Sequence, residues 1–139
     1  MATTTAQITL TSTDIADNAL SISNTMTLTT AGTETGITET TGLARKKVSS
    51  ASLADLITVA NTEVTAAKSA KVYIKNTSTA TDKYGLIGIG DSSGTPIYIG
   101  RLYGGDWMLF PWDANSGEDI TLTMSDATET IIEYMVFFE

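Results

Sequence analysis

The stretch that decides the fold is Lys71–Glu139, KVYIKNTSTATDKYGLIGIGDSSGTPIYIGRLYGGDWMLFPWDANSGEDITLTMSDATETIIEYMVFFE. Val72 and Ile74 alternate with Tyr73 and Lys75, the period of a half-buried strand. A polar segment, Thr77–Lys83, follows and reads as a hairpin loop. Tyr84–Gly90 reads as a strand with interleaved glycines, which mark bends, bulges or close backbone approach. Asp91-Ser-Ser-Gly94 has turn chemistry, and Thr95–Leu102 is the next strand. Gly104-Gly105 turns the chain into Trp107–Phe110, which Pro111 ends. After the Asp113–Asp119 loop, Ile120–Met124 alternates cleanly. Ile131–Phe138 closes the stretch as an apolar strand whose one charge is Glu133. Short strands separated by turn signals every ~8–12 residues specify an antiparallel sandwich or barrel.

The closing strand carries Ile132, Tyr134, Val136 and Phe138 on one face and Ile131, Met135 and Phe137 on the other. A central strand buried on both sides looks like this, and so does an edge strand capped by a second subunit.

Upstream, the first 50 residues are rich in Thr, Ser, Ala and Gly, and no aromatic residue occurs before Tyr73. Ile8 and Leu10 alternate with Thr, as do Met26 and Leu28, and Ile22 sits between two serines. Each reads as a short strand, and Thr33–Gly42 as a loop or extended arm. Such a segment must lie on something, either the domain behind it or another subunit. Residues 52–70 are ambiguous: a short helix or turn at Leu53–Leu56 leading into a strand is favoured over strand through Leu56–Val59 and Val64. The expectation is one all-β domain: a jelly-roll-like antiparallel β-sandwich over 51–139 with a Thr-rich N-terminal arm over 1–50.

The whole chain has 139 residues, 26 of them Thr and 12 Ser, which favours strands. A compact domain of this size buries about two-thirds of the surface its unfolded chain exposes, so it needs no staples. It contains no cysteine, so disulfides and thiolate metal sites are ruled out. It contains no histidine, so the usual general base and the serine–histidine and cysteine–histidine pairings are ruled out too. No apolar run approaches a membrane helix. Met1–Leu10 lacks a basic region followed by an apolar one, so no secretory signal is expected.

The net charge of −8 is uneven. Residues 1–83 hold seven cations and seven carboxylates, whereas 84–139 hold Arg101 against nine carboxylates. Such a surface repels phosphate backbones, so no nucleic-acid partner is expected. Arg45-Lys46-Lys47 forms one basic cluster, readable as a solvated turn or as a contact to an acidic partner surface.

Several local patterns invite functional readings. Asp113-x-Asn115-x-Gly117-x-Asp119 has oxygen ligands at alternate positions, but glycine and Met124 stand where a calcium loop needs ligands, so an ordinary acidic loop is expected. Asn76-Thr77-Ser78 matches a glycosylation acceptor but reads as a strand end. Gly85, Gly88 and Gly90 lack the spacing of a phosphate cradle. Trp107 and Trp112, with Phe110, Tyr103 and Tyr98, read as core or subunit interface, with sugar stacking the alternative. Adjacent carboxylates such as Glu118 and Asp119 do not make a glycosidase pair by themselves, and no enzyme activity, cofactor or metal is expected.

Lys71-Val-Tyr-Ile-Lys-Asn-Thr-Ser78, Ile97-Tyr-Ile-Gly-Arg-Leu102, Gly105-Asp-Trp-Met-Leu-Phe-Pro-Trp-Asp113 and Ile132-Glu-Tyr-Met-Val-Phe-Phe-Glu139 together resemble small virion structural proteins of tailed bacteriophages, especially marine cyanophage types. The likeness covers roughly residues 70–139; upstream, Thr41-Gly-Leu-Ala-Arg45 is the most distinctive phrase. The resemblance implies a β-sandwich virion protein made in the host cytoplasm, without a catalytic residue. The first expectation is a capsid decoration protein, docked on the major capsid protein or other virion proteins and homo-oligomeric, with a trimer favoured. The second is a tail, baseplate or fibre-adaptor component, and the third a carbohydrate-binding module. Interface residues are expected at Arg45, Lys46 and Lys47 for docking, and at Trp107, Trp112, Tyr134, Val136 and Phe138 for packing.

Overall fold

The computed structural model describes residues 5–13, 20–28, 39–49, 51–62, 70–114 and 118–138. The chain divides into two units, Met1–Thr38 and Glu39–Glu139.

The described residues of the first unit form one antiparallel strand pair, β1 (Thr5–Ser12) and β2 (Leu20–Thr27). The separate short strands expected around Ile22 and Met26 are one continuous strand, and Leu28 lies just past its end. Pairing Leu10 with Ile22, Ile8 with Asn24 and Ala6 with Met26 collects the apolar side chains on one face. The other face is Thr5, Gln7, Thr9 and Thr11 against Thr27, Thr25, Ser23 and Ser21.

The second unit is a β-sandwich of two antiparallel sheets. Sheet I runs β9 (Trp107–Trp112), β6 (Ala70–Asn76), β11 (Thr130–Phe138), with β3 (Glu39–Thr40) and β4 (Ala44–Val48) both along the far side of β11. Sheet II runs β5 (Ala54–Ile57), β10 (Ile120–Met124), β7 (Tyr84–Ile89), β8 (Ile97–Tyr103). The pairs β4·β11, β5·β10, β6·β9 and β7·β8 are nested, as if one long hairpin were folded over itself. Among the described strands of this unit, only β7 and β8 are consecutive partners within a sheet; the connections from β4 to β7 and from β8 to β11 cross between sheets. Thr77–Lys83 therefore joins two sheets and is not the hairpin loop its composition suggested.

Alternation builds the core. Val72, Ile74, Ile132 and Val136 from sheet I meet Ile87, Ile120 and Leu122 from sheet II, all at most 2% exposed. The closing strand β11 is central, flanked by β6 and by β3 and β4, so of its two sequence readings the capped edge falls away. Residues 39–48, which composition groups with the N-terminal arm, pair with β11. They carry too little apolar bulk to read as core, but their backbone supplies the hydrogen bonds that β11 lacks on that side. The expected loop Thr33–Gly42 lies in part outside the described residues, as does Val64.

Between β4 and β6 the order is strand first, β5, then a single 3-10 turn at Val59–Asn61, the reverse of the helix-then-strand expectation. Leu56 and Ile57 are buried there, and pairing with β10 outweighs the weak capping signal at Ser52. The turn at Asp91–Gly94 closes with Gly94 N–H on the Asp91 carbonyl at 3.0 Å. Gly104-Gly105 crosses from β8 to β9, with Gly105 at φ 89°. A Cβ on Gly104 would run into the carbonyl oxygens of Ser78 and Ala80, so only glycine lets these two crossings touch.

Candidate interaction surfaces

No group of three or more His, Cys, Asp or Glu side chains placed to hold a metal ion occurs among the described residues, and the features described next are surfaces. Three are notable.

The first is the apolar face of the β1–β2 hairpin. Ile8, Leu10, Ile22 and Met26 are 43, 46, 39 and 47% exposed. Neither strand carries a charged residue. A two-stranded hairpin is marginal in water without a layer packed on its apolar side.

The second is the outer face of sheet I. Successive registers align Arg45, Glu133, Lys75 and Trp107 in one row across four strands. Met135, Tyr73 and Leu109 form the next row, and Phe137, Lys71 and Pro111 the one after. Arg45 donates from Nε and Nη2 to Oε1 of Glu133, both at 2.8 Å. Lys47, on the same face, pairs with Glu129 at 2.8 Å. Tyr73 and Trp107 form a tilted ring pair with centroids 6.4 Å apart. Burial, and secondly the Glu133 carboxylate, push the Tyr73 phenol above its ordinary value, because both disfavour the phenolate.

The third is the exposed side of β8, the edge of sheet II. Ile97 is 79% exposed, and Tyr98 and Ile99 are exposed beside it. Ile99 is the extra residue of a bulge, for Ile87 pairs with Gly100 while Gly88 pairs with Tyr98. Bulges and cations are devices that blunt an open edge, and Arg101 supplies the cation, 4.7 Å above the Tyr84 ring. A cleft of 430 Å³ opens between β8 and β9, lined by Ile99, Arg101, Asp106 and Trp107 among others. A second, of 340 Å³, opens on the opposite side between β4 and β5, where Lys46, Asp55, Thr58 and Tyr134 line it.

These placements sort the residues expected at interfaces. Arg45 and Lys47 look outward from sheet I, each already in an ion pair. Lys46 turns the other way and donates from Nζ to the Asp55 carbonyl at 2.6 Å, tying the edges of the two sheets. Trp107 is 51% exposed on the outer face, whereas Trp112 is 3% exposed in the core with its indole N–H on the Glu118 carbonyl at 2.8 Å. The two tryptophans lie on opposite faces of β9, so they do not form one stacking platform. Val136 and Phe138 are core residues and Tyr134 packs partly against that core, so these three and Trp112 serve the sandwich's own interior.

In the acidic loop, Asn115 and Gly117 lie outside the described residues. Asp119 accepts the Val59 N–H on Oδ1 at 2.8 Å, and Asp113 is exposed. Asp55 holds the β7–β8 loop, accepting Ser92 N–H at 2.9 Å and the Ser92 hydroxyl at 2.8 Å. Asp91 accepts the Ser93 N–H, which holds its carboxyl below the usual range. These carboxylates work as loop staples. Sequence reading missed the cationic row on sheet I, because Arg45 and Lys75 are 30 positions apart and meet through β11. The signal available was the alternation of Lys71, Tyr73 and Lys75. No family model, no curated protein and no solved structure matches this chain.

Proposed function

We propose that this chain is a non-enzymatic structural protein of a tailed-phage virion, and that it decorates the capsid. The observation that carries the reading is the β1–β2 hairpin: an uncharged strand pair with a half-exposed apolar face, belonging to a unit separate from the sandwich. A segment built this way gains stability by being laid on a larger surface. The sandwich has an interior complete in itself, which suits a body that projects from such a surface. The nested strand order supports a jelly roll, and the phrases shared with virion proteins supply the phage context. The buried Trp112 removes one of the two rings on which a carbohydrate site would depend, so that reading ranks below assembly.

The test is a variant lacking residues 2–38, which keeps β3 and β4 and therefore the whole of sheet I. It is expected to fold and to lose binding to particles. Full-length protein labelled in intact virions is expected in many copies over the head. A few copies at one vertex would move the protein to the tail, and decoration by the truncated variant would refute docking through the hairpin.

A further inference from the structure

A sandwich has two flanks, where the edges of its sheets face each other. At one flank the Lys46 ammonium reaches from β4 to the Asp55 carbonyl of β5. At the other, β8 ends sheet II and β9 ends sheet I, and the 430 Å³ cleft opens between them. Ile99, Leu102, Trp107 and Met108 give that cleft an apolar lining, with Arg101 and Asp106 as its two charged residues. A Cβ placed on Gly100 or Gly105 would meet nothing within 4 Å, so the backbone there is bare. Every residue of β8 except Leu102 is exposed, and Trp107 begins β9 at 51% exposure.

Charge is distributed here unlike in the rest of the second half. Residues 84–139 hold nine carboxylates, yet β8 and β9 contain none. Arg101 is the one cation of that half. Among the described residues no carboxylate pairs with it; its neighbours are the Tyr84 ring and the Tyr103 side chain. Asp106, in the turn that joins the two strands, accepts the Tyr103 N–H on Oδ2 at 3.0 Å. It too is without an ion pair among the described residues. The flank thus carries one unanswered charge of each sign.

We propose that two copies of this chain pair through this flank about a two-fold axis, Arg101 of each reaching Asp106 of the other, with Ile99 and Trp107 covered between them. A two-fold contact sets one patch against itself, so a patch holding one charge of each sign satisfies both. Elsewhere the second half offers carboxylates alone, and copies of a chain with net charge −8 repel there. Backbone pairing is disfavoured at both edges: the bulge at Ile99 breaks the β8 ladder, and Pro111 has no N–H to give from β9. The contact is therefore made by side chains. Strands about 24 Å long on sheets about 10 Å apart present, with their side chains, roughly 500 Å² per copy, and the pair's total of about 1,000 Å² is the lower limit for a specific contact. The dimer is accordingly a weak one whose population depends on concentration. This pairing does not depend on the virion reading, and its test needs no particle.

The experiment is sedimentation velocity on the full chain over a range of protein concentrations at about 0.15 M salt, where a screening length of about 8 Å quiets the repulsion between net charges. Wild type is expected to pass reversibly from monomer to dimer. Arg101→Glu leaves the flank acidic and Asp106→Arg leaves it cationic, and each is expected to weaken self-association by about tenfold or more. Mixing these two variants restores both ion pairs in the mixed dimer and is expected to restore association. Circular dichroism on each variant checks the fold. Asp106→Asn keeps an acceptor for the Tyr103 N–H while removing the charge, and it is expected to fall between wild type and Asp106→Arg. A wild-type chain that stays monomeric throughout overturns the proposal. So does a dimer that ignores both reversals, or a mixture of the two folded variants that stays monomeric.

Discussion

Strands β2 and β6 obey the same rule and end differently. Both alternate small polar or charged residues with apolar ones, and both pair antiparallel with neighbours. In β6 the apolar set, Ala70, Val72 and Ile74, is at most 2% exposed. In β2 the equivalent set includes Ile22 and Met26, which remain 39 and 47% exposed. Alternation decides which side chains share a face; only a second layer decides whether that face is buried. β6 lies between two strands and under sheet II, while among the described residues β2 pairs with β1 alone.

The largest expected difference between the regions is in truncating their isoleucines. Ile74→Ala removes a fully buried side chain and is expected to lower stability by about 2–5 kcal/mol in urea titrations. Ile8→Ala, on the exposed hairpin face, is expected to change it by less than about 0.5 kcal/mol. Equal effects would mean that the hairpin face is covered as a core is covered.

A matched pair of asparagines sharpens the contrast. Asn76, fully buried, donates from Nδ2 to the Leu102 carbonyl at 3.0 Å and accepts the Ser78 N–H on Oδ1 at 3.0 Å. Asn76→Ala leaves that carbonyl without its donor and is expected to cost about 1–3 kcal/mol. Asn24, exposed opposite Ile8, makes no such link between sheets, and Asn24→Ala is expected to be near neutral.

The smallest effect is in alkaline solution. Folding raises the Tyr73 pKa above the ordinary tyrosine value, so the folded state favours the neutral phenol. The corresponding stability is complete below the ordinary tyrosine value and is lost as pH rises through the raised one. Tyr73→Phe is expected to flatten this alkaline loss in thermal melts taken between pH 9 and 11, about one unit either side of that ordinary value.

Much of this architecture is legible from residues alone. The alternations at Val72–Ile74 and Ile120–Met124, the Asp91–Gly94 turn and the doubly apolar β11 all point to a two-layered antiparallel fold, because side-chain period and turn chemistry are local properties. The candidate surfaces are less legible. Trp107 and Trp112 look alike in sequence, yet an odd separation of five positions sends them to opposite faces of β9. Arg45 and Lys47 look outward while Lys46 bridges to Asp55, since neighbouring positions on a strand alternate. Residues 39–48 resemble the polar arm in composition but complete β11, a role carried by backbone groups that composition does not register.

Composition and pattern are enough for the all-β class, the places of most strands, the lack of thiol and imidazole side chains and the acidic balance of the second half. These follow from residue type, period and count. The nested strand order, the central position of β11, the burial of Trp112, and the gathering of Arg45, Lys71, Lys75 and Trp107 on one face come from long-range packing. Each of these depends on which distant strands become neighbours. Backbone hydrogen bonding is indifferent to residue identity, so that choice is made by packing two apolar faces together.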